Sequence, residues 1–177
     1  MRTVQLPLTG GCFCGACRYA LFAAPYVVYV CHCTDCQKQS GSAFNMTMPS
    51  PREAFRVTEG EPAAFMRTTA RGRVTTIRFC GTCGSRLFAE SNPETVAIRP
   101  GTLDDTSWLA PAAQFYLSSS HVWARLAGVI DHDTQPEEGF REAIRAWRRT
   151  APTFLPPATR PHSDEGRDPG AADAPGE

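Results

Sequence analysis

Eight cysteines set in three short groups constrain this 177-residue chain more than any other feature. Cys12, Cys14 and Cys17 form a C-x-C-x-x-C triad in GGCFCGACRY, and Cys31, Cys33 and Cys36 form a second in YVCHCTDCQKQSG. Cys80 and Cys83 make a C-x-x-C pair in RFCGTCGSRLF. Each group adjoins an apolar, strand-like run, so each reads as a metal-binding knuckle on a turn. Gly15, Gly41, Gly81 and Gly84 permit the tight backbone that converging thiolates need.

The thiols could instead pair as disulfides, and the expected compartment argues against that. MRTVQLPLTGG lacks an apolar run long enough for a signal peptide, and no stretch approaches the roughly 18 apolar residues of a membrane helix. The expected location is the cytoplasm, with no membrane partner. Clustered thiols there mean metal or catalysis more often than disulfides. A formal net charge of zero and a pI near 6.9 argue against a nucleic-acid partner. Nothing in the sequence sets the oligomeric state.

The residues alone predict a mainly β fold, an all-β sandwich or barrel-like domain, with a short C-terminal helix. CRYALF, YVVYV, AFNMTM, AFRVT, AAFMRTT, RVTTIRF, RLFAE and TVAIR are rich in β-branched or aromatic residues and are separated by Gly, Pro, Asn and Asp. In PEEGFREAIRAWRR, Phe140, Ala143, Ile144 and Trp147 fall on one helical stripe. Its acidic start and its late arginines (Arg141, Arg145, Arg148, Arg149) suit a helix dipole without a nucleic-acid partner. Residues 1–150 are expected to form one zinc-binding domain. Residues 151–177, holding six of the fifteen prolines, are expected to form a Pro/Ala/Gly-rich disordered tail.

Ligand counting separates the thiols. A structural zinc site is closed by four protein ligands, and a catalytic one keeps a position open. Cys80 and Cys83 should share one ion, completed most simply by a C-x-C from one triad. The other triad is then left with three thiolates. Apolar and glycine neighbours surround the first triad, whereas His32, Asp35, Gln37, Lys38 and Ser40 surround the second. The second is therefore expected to be the open site, and Cys17 the spare. The structural alternative is two closed four-ligand sites, using Cys17 or borrowing His32, although His32 is expected to point away from the metal. Lys38, the single lysine among 18 basic residues, and Ser40 are candidates to orient a substrate or stabilise oxyanion charge. Asp104 and Asp105 in GTLDD read as turn residues rather than general bases.

In order, GGCFCGACRY, CHCTDCQKQSGSAF, RFCGTCGSRLF and GTLDD resemble the glutathione-dependent formaldehyde-activating enzymes, a family whose domain is shared with a centromere-associated protein. The resemblance runs from about Gly10 to Asp105. It implies a mainly β fold of small sheets built around zinc knuckles, with two zincs: a structural one on Cys12, Cys14, Cys80 and Cys83, and a catalytic one on Cys31, Cys33 and Cys36. It also implies a carbon–sulfur lyase that joins or cleaves a thiol, glutathione or a similar one, and a small aldehyde such as formaldehyde. A non-catalytic zinc module that binds a protein or nucleic acid is the competing reading. The family's pattern decays after GTLDD. In PAAQFYLSSSHVW, Gln114 replaces a histidine usual in the family, and His121 falls near the place of a lysine. That segment is expected to help shape the substrate pocket.

Overall fold

The computed structural model describes residues 2–69 and 72–157. Expected disorder beyond residue 157 lies outside the described residues. The chain enters through β1 (Thr3–Gln5), β2 (Leu8–Gly11), β3 (Arg18–Leu21) and β4 (Tyr29–Cys31). Helix α1 (Thr34–Ser40) follows, then β5 (Asn45–Pro51), β6 (Phe55–Glu59), β7 (Ala63–Thr68), β8 (Val74–Phe79), β9 (Arg86–Glu90) and β10 (Thr95–Ile98). After these come β11 (Ala113–Phe115), β12 (Ile130–His132), α2 (Glu137–Thr150) and β13 (Thr153–Leu155).

The mainly β expectation holds, and all eight expected strand runs contain a strand. One sheet is larger than expected, with eight strands in the order β12-β11-β4-β5-β10-β9-β8-β7. A three-stranded sheet (β2-β3-β6) and a two-stranded one (β1-β13) complete the fold.

Alternation along the strands sets the two faces of the large sheet. Met48, Phe88, Val96 and Ile98 are buried on one side, in a core that includes Tyr19 and Phe55. Residues of the opposite parity, Thr75, Ile77, Ala89, Ala97 and Arg99, line a cleft. The alanines at 89 and 97 matter here, because small side chains at central positions leave room above the sheet.

Helix α2 begins one residue after the expected start and buries Gly139, Ala143 and Trp147. Trp147 joins Trp108 and Phe154 in an aromatic cluster. Phe154 lies on β13, which pairs in parallel with β1. Phe154, partly buried beside Trp108, helps to hold the strand Thr153–Leu155 against β1, within the stretch expected as tail. No helix among the described residues is long and apolar enough to cross a membrane.

Candidate metal centres

The first centre is made by two hairpin loops facing each other. Cys12 and Cys14 occupy the turn between β2 and β3, where the Cys12 N–H donates to the Cys17 carbonyl at 3.0 Å. Cys80 and Cys83 occupy the turn between β8 and β9, closed by Cys80 N–H to Ser85 O and Gly84 N–H to Cys80 O, both 2.9 Å. Gly84 has φ 74°, which a side chain with a Cβ rarely adopts. Ser85 ties the loops together. Its hydroxyl accepts from the Phe13 N–H at 3.0 Å and lies 3.2 Å from the Cys83 sulfur.

All four Sγ atoms fall within 4.8 Å of one another. Cys12 and Cys14 are 3.6 Å apart, and Cys14 and Cys80 are 3.7 Å apart. A tetrahedral ion with metal–sulfur bonds of ~2.3 Å sets an edge of about 3.8 Å, so these thiols fit one without rearrangement. Cys17 stands beside this group but outside it. It is buried in the core, and its N–H donates to the Cys12 sulfur at 3.2 Å. Burial, then the neighbouring Cys80, pushes its thiol up to about 11.

The second centre was expected on a turn and is built on a strand end and a helix start. Cys31 ends β4, Cys33 caps α1, and Cys36 lies in the first turn of α1. The cap is the sulfur itself, which accepts from the Cys36 N–H at 3.4 Å. Replacing the usual Ser, Thr or Asp cap by cysteine is what hides this helix in the sequence. The three Sγ atoms lie within 4.8 Å of one another.

With three thiols so close, negative charge concentrates on one. Hydrogen bonds from the Cys31 and Cys36 side chains pull Cys33 down to about 2. Cys36 is pushed up to about 11: the Cys31 side chain acts to lower it, and the Cys33 side chain and burial outweigh that. Cys31 is raised, chiefly by its hydrogen bonds with Cys33 and Cys36. An ion bound there would have to displace the remaining thiol protons.

His32 is not a ligand of this group. It is fully buried, with Nε2 3.2 Å from Gln114 Oε1 and its ring edge-on to Phe44. Among the described residues, the second group contains three sulfurs and no fourth metal-ligating atom within the same radius. They open onto a cleft of about 490 Å³, lined also by Tyr29, Thr47, Arg67, Arg99 and Tyr116. Tyr116 holds a left-handed backbone (φ 63°), a conformation that non-glycine residues keep only where their surroundings enforce it. Arg67 donates to Asp35 at 2.6 Å, which closes one edge of the cleft.

Neither Lys38 nor Ser40 lines this cleft, although Ser40 lines a neighbouring cavity together with Asn45, Arg86 and Arg99. Lys38 is exposed and lines a separate hollow with Ser42, His121 and Trp123. Its position two residues past Cys36 turns it to another side of the helix. The Ser40 hydroxyl donates to the carbonyls of Cys36 and Phe44, both at 2.9 Å, and so fastens the helix end. Gln114 is buried away from the cleft. It donates to Asp131 Oδ1 at 2.7 Å and to the Leu126 carbonyl at 2.8 Å. His121 stacks on the exposed Trp123. Asp104 and Asp105 serve turns and ion pairing: Asp104 accepts from Arg18 and Thr9, and Asp105 accepts from the Ser107 N–H. A cleft residue that sequence reading missed is Arg99, whose signal is the alternation of TVAIR: Val96 and Ile98 face the core, Ala97 and Arg99 the cleft.

Fold and site together define a mainly β domain that carries two cysteine groups able to hold metal ions, one with four sulfurs and one with three, both suited to zinc. Residues 7–119, more than half of the chain, match the family model described as glutathione-dependent formaldehyde-activating enzyme. The chain belongs to that family. A crystal structure of a Rhodobacter sphaeroides protein is similar at 19% identity and a TM-score of 0.46, covering 71% of this chain and 99% of that one.

Proposed function

We propose that this protein is a zinc-dependent carbon–sulfur lyase that joins or cleaves a thiol and a small aldehyde. Glutathione and formaldehyde are the pair that the family's description names. The observation that carries this reading is the unequal pair of centres: four sulfurs close one, and three sulfurs at the mouth of a cleft leave the other a free position. Cys12, Cys14, Cys80 and Cys83 would hold a structural zinc, and Cys31, Cys33 and Cys36 a catalytic one. A zinc ion on three thiolates favours the ionised form of an incoming thiol and can polarise a carbonyl.

The chain's own residues supply position and charge. The reaction forms one S–C bond, and the thiol proton ends on the former carbonyl oxygen, so nothing is oxidised or reduced. Cys31 and Asn45 are cross-strand partners, as are Tyr29 and Thr47, which places the cysteine at a fixed height above the sheet. Arg99 donates to Thr47 at 2.8 Å and carries positive charge into the same cleft. An approaching thiolate and a developing oxyanion are both favoured by that charge.

A binding module for nucleic acid is not favoured by the helix arginines. Arg141 and Arg145 are paired with Glu137 and Glu138 on α2 itself. The direct test is NMR exchange between formaldehyde and glutathione at catalytic protein concentration. The adduct forms without a catalyst, so the expected result is an exchange rate that rises in proportion to zinc-loaded protein and is lost in Cys36→Ser. Equal rates with and without protein would overturn the reading.

A further inference from the structure

A second cavity of about 500 Å³ shares Gln39 and Arg99 with the cleft, and its lining is polar and basic on one side. Asn45, Arg86, Arg99 and Thr102 contribute to it, and no Asp or Glu does. Three donor atoms on these residues, Asn45 Nδ2, Arg86 Nη2 and Arg99 Nε, are closed off from solvent with no hydrogen-bond partner among the described residues. Asn45 is only 7% exposed. Buried donors left unpaired are costly, so an acceptor that these side chains could reach by a small shift would be favoured.

The charges point the same way. Neither arginine forms an ion pair with a carboxylate among the described residues, whereas Arg52, Arg67 and Arg78 each do. Burial lowers both guanidinium pKa values, that of Arg86 to about 10, and a guanidinium starts from so high a value that arginine serves as a cation in proteins. The charged groups acting on Arg86 are Arg99 and Cys36. Those acting on Arg99 are Cys36, Tyr29 and Cys31. A divalent ion on three thiolates carries about −1. Two guanidiniums leave the pocket with a surplus of positive charge that no Asp or Glu among the described lining residues offsets.

Local structure fixes these donors in advance. Arg99 follows β10 directly, its N–H donates to the Leu87 carbonyl at 2.8 Å, and its own carbonyl accepts from the Thr102 hydroxyl at 2.7 Å. Arg86 opens β9, three residues after Cys83, so the first metal centre anchors it, and it lines the same cavity as Arg99. Asn45 lies opposite Cys31 in the β4–β5 ladder. Arg99 lines both the cleft and this cavity and thus joins the two.

We propose that Asn45, Arg86 and Arg99 form a carboxylate-binding subsite, which selects ligands of the three-sulfur centre that carry an acidic group. The selection rests on the thiol reading given above; the anion site itself does not. Planar guanidiniums suit a carboxylate through paired N–H···O bonds.

The test uses zinc-loaded protein and three probes: 3-mercaptopropionate, its neutral isostere 3-mercaptopropionamide, and succinate, which has no thiol. Affinity is read by calorimetry, and the site by the Nε–H NMR signals of the arginines. The acid is expected to bind about ten-fold or more tightly than the amide, and Arg86→Gln to remove that preference while leaving amide binding unchanged. Succinate alone is expected to shift the Arg86 and Arg99 signals saturably, with Arg148 and Arg149 unmoved. Arg86→Lys supplies a second variant, keeping the charge and losing the paired geometry. If neither thiol binds but succinate still moves Arg86 and Arg99, the subsite stands and the thiol reading falls. Equal binding of acid and amide, with all arginine signals moving alike or none moving, overturns the subsite.

Discussion

The sulfurs of Cys14 and Cys80 lie 3.7 Å apart although 66 positions separate them in the chain. One belongs to the hairpin of the three-stranded sheet and the other to the hairpin of the eight-stranded sheet, so an ion between them staples two sheets. Removing a ligand should therefore cost fold stability. Cys80→Ser is expected to lose one zinc of two and to lower the melting temperature by ~10 °C or more, since loss of a structural metal ranks among the largest single-site effects. Cys33→Ser should also lose one zinc, but with a shift of only a few degrees. Zinc content and thermal melts on the same samples check both.

The second centre makes a prediction about protons. Three ordinary thiols would each release one on binding zinc at pH 7. Here Cys33 is held at about 2 by its neighbours and is already ionised, whereas Cys31 and Cys36 are raised and protonated. The sign follows: lowering pH adds protons that compete only at the two raised thiols. Zinc loading of the second centre should therefore release about two protons and weaken ~100-fold per unit of falling pH near neutrality. Calorimetry in buffers of different ionisation enthalpy counts them; a release of three would contradict the arrangement.

Much of this was legible in the sequence because cysteine spacing and strand alternation are local signals. The eight strand runs and α2 each carry their own periodicity. Counting ligands called for a C-x-C beside Cys80 and Cys83, and the apolar neighbours of the first triad together with the family resemblance pointed to Cys12 and Cys14. Helix α1 was not legible, because a sulfur does the capping. The short strands β11, β12 and β13 were not legible either. Each is three residues long, too short for a pattern, and each exists through pairing with a distant partner. Arg86 and Arg99 look like ordinary surface arginines until the fold turns them inward.

Lys38 illustrates the same limit. Proximity in sequence suggested a role beside Cys36, and helical geometry turns it toward Trp123 and His121 instead. Lys38→Ala is accordingly expected to change kcat/KM for the thiol–aldehyde reaction by less than about two-fold, with zinc content unchanged. Arg99→Gln, by contrast, should lower it by about ten-fold or more, since a charge-assisted hydrogen bond is worth ~1.5–3 kcal/mol. Steady-state kinetics on the two variants separates the assignments.

Gln114 tests whether departure from the family's usual residue reshapes the pocket or the core. Its amide sits between four partners. Oε1 accepts from the Leu126 N–H at 3.0 Å and lies 3.2 Å from His32 Nε2, while Nε2 donates to Asp131 and to the Leu126 carbonyl. This network fixes β11 against β12 and holds the residue between Cys31 and Cys33. Gln114→Leu keeps most of the volume but strands buried groups, at a cost of ~1–3 kcal/mol. Urea unfolding should show that loss as a lower midpoint with an unchanged slope. Because Gln114 lies outside the cleft, the same variant should retain both zincs and its KM for thiol. A raised KM at unchanged stability would instead place Gln114 in the substrate pocket.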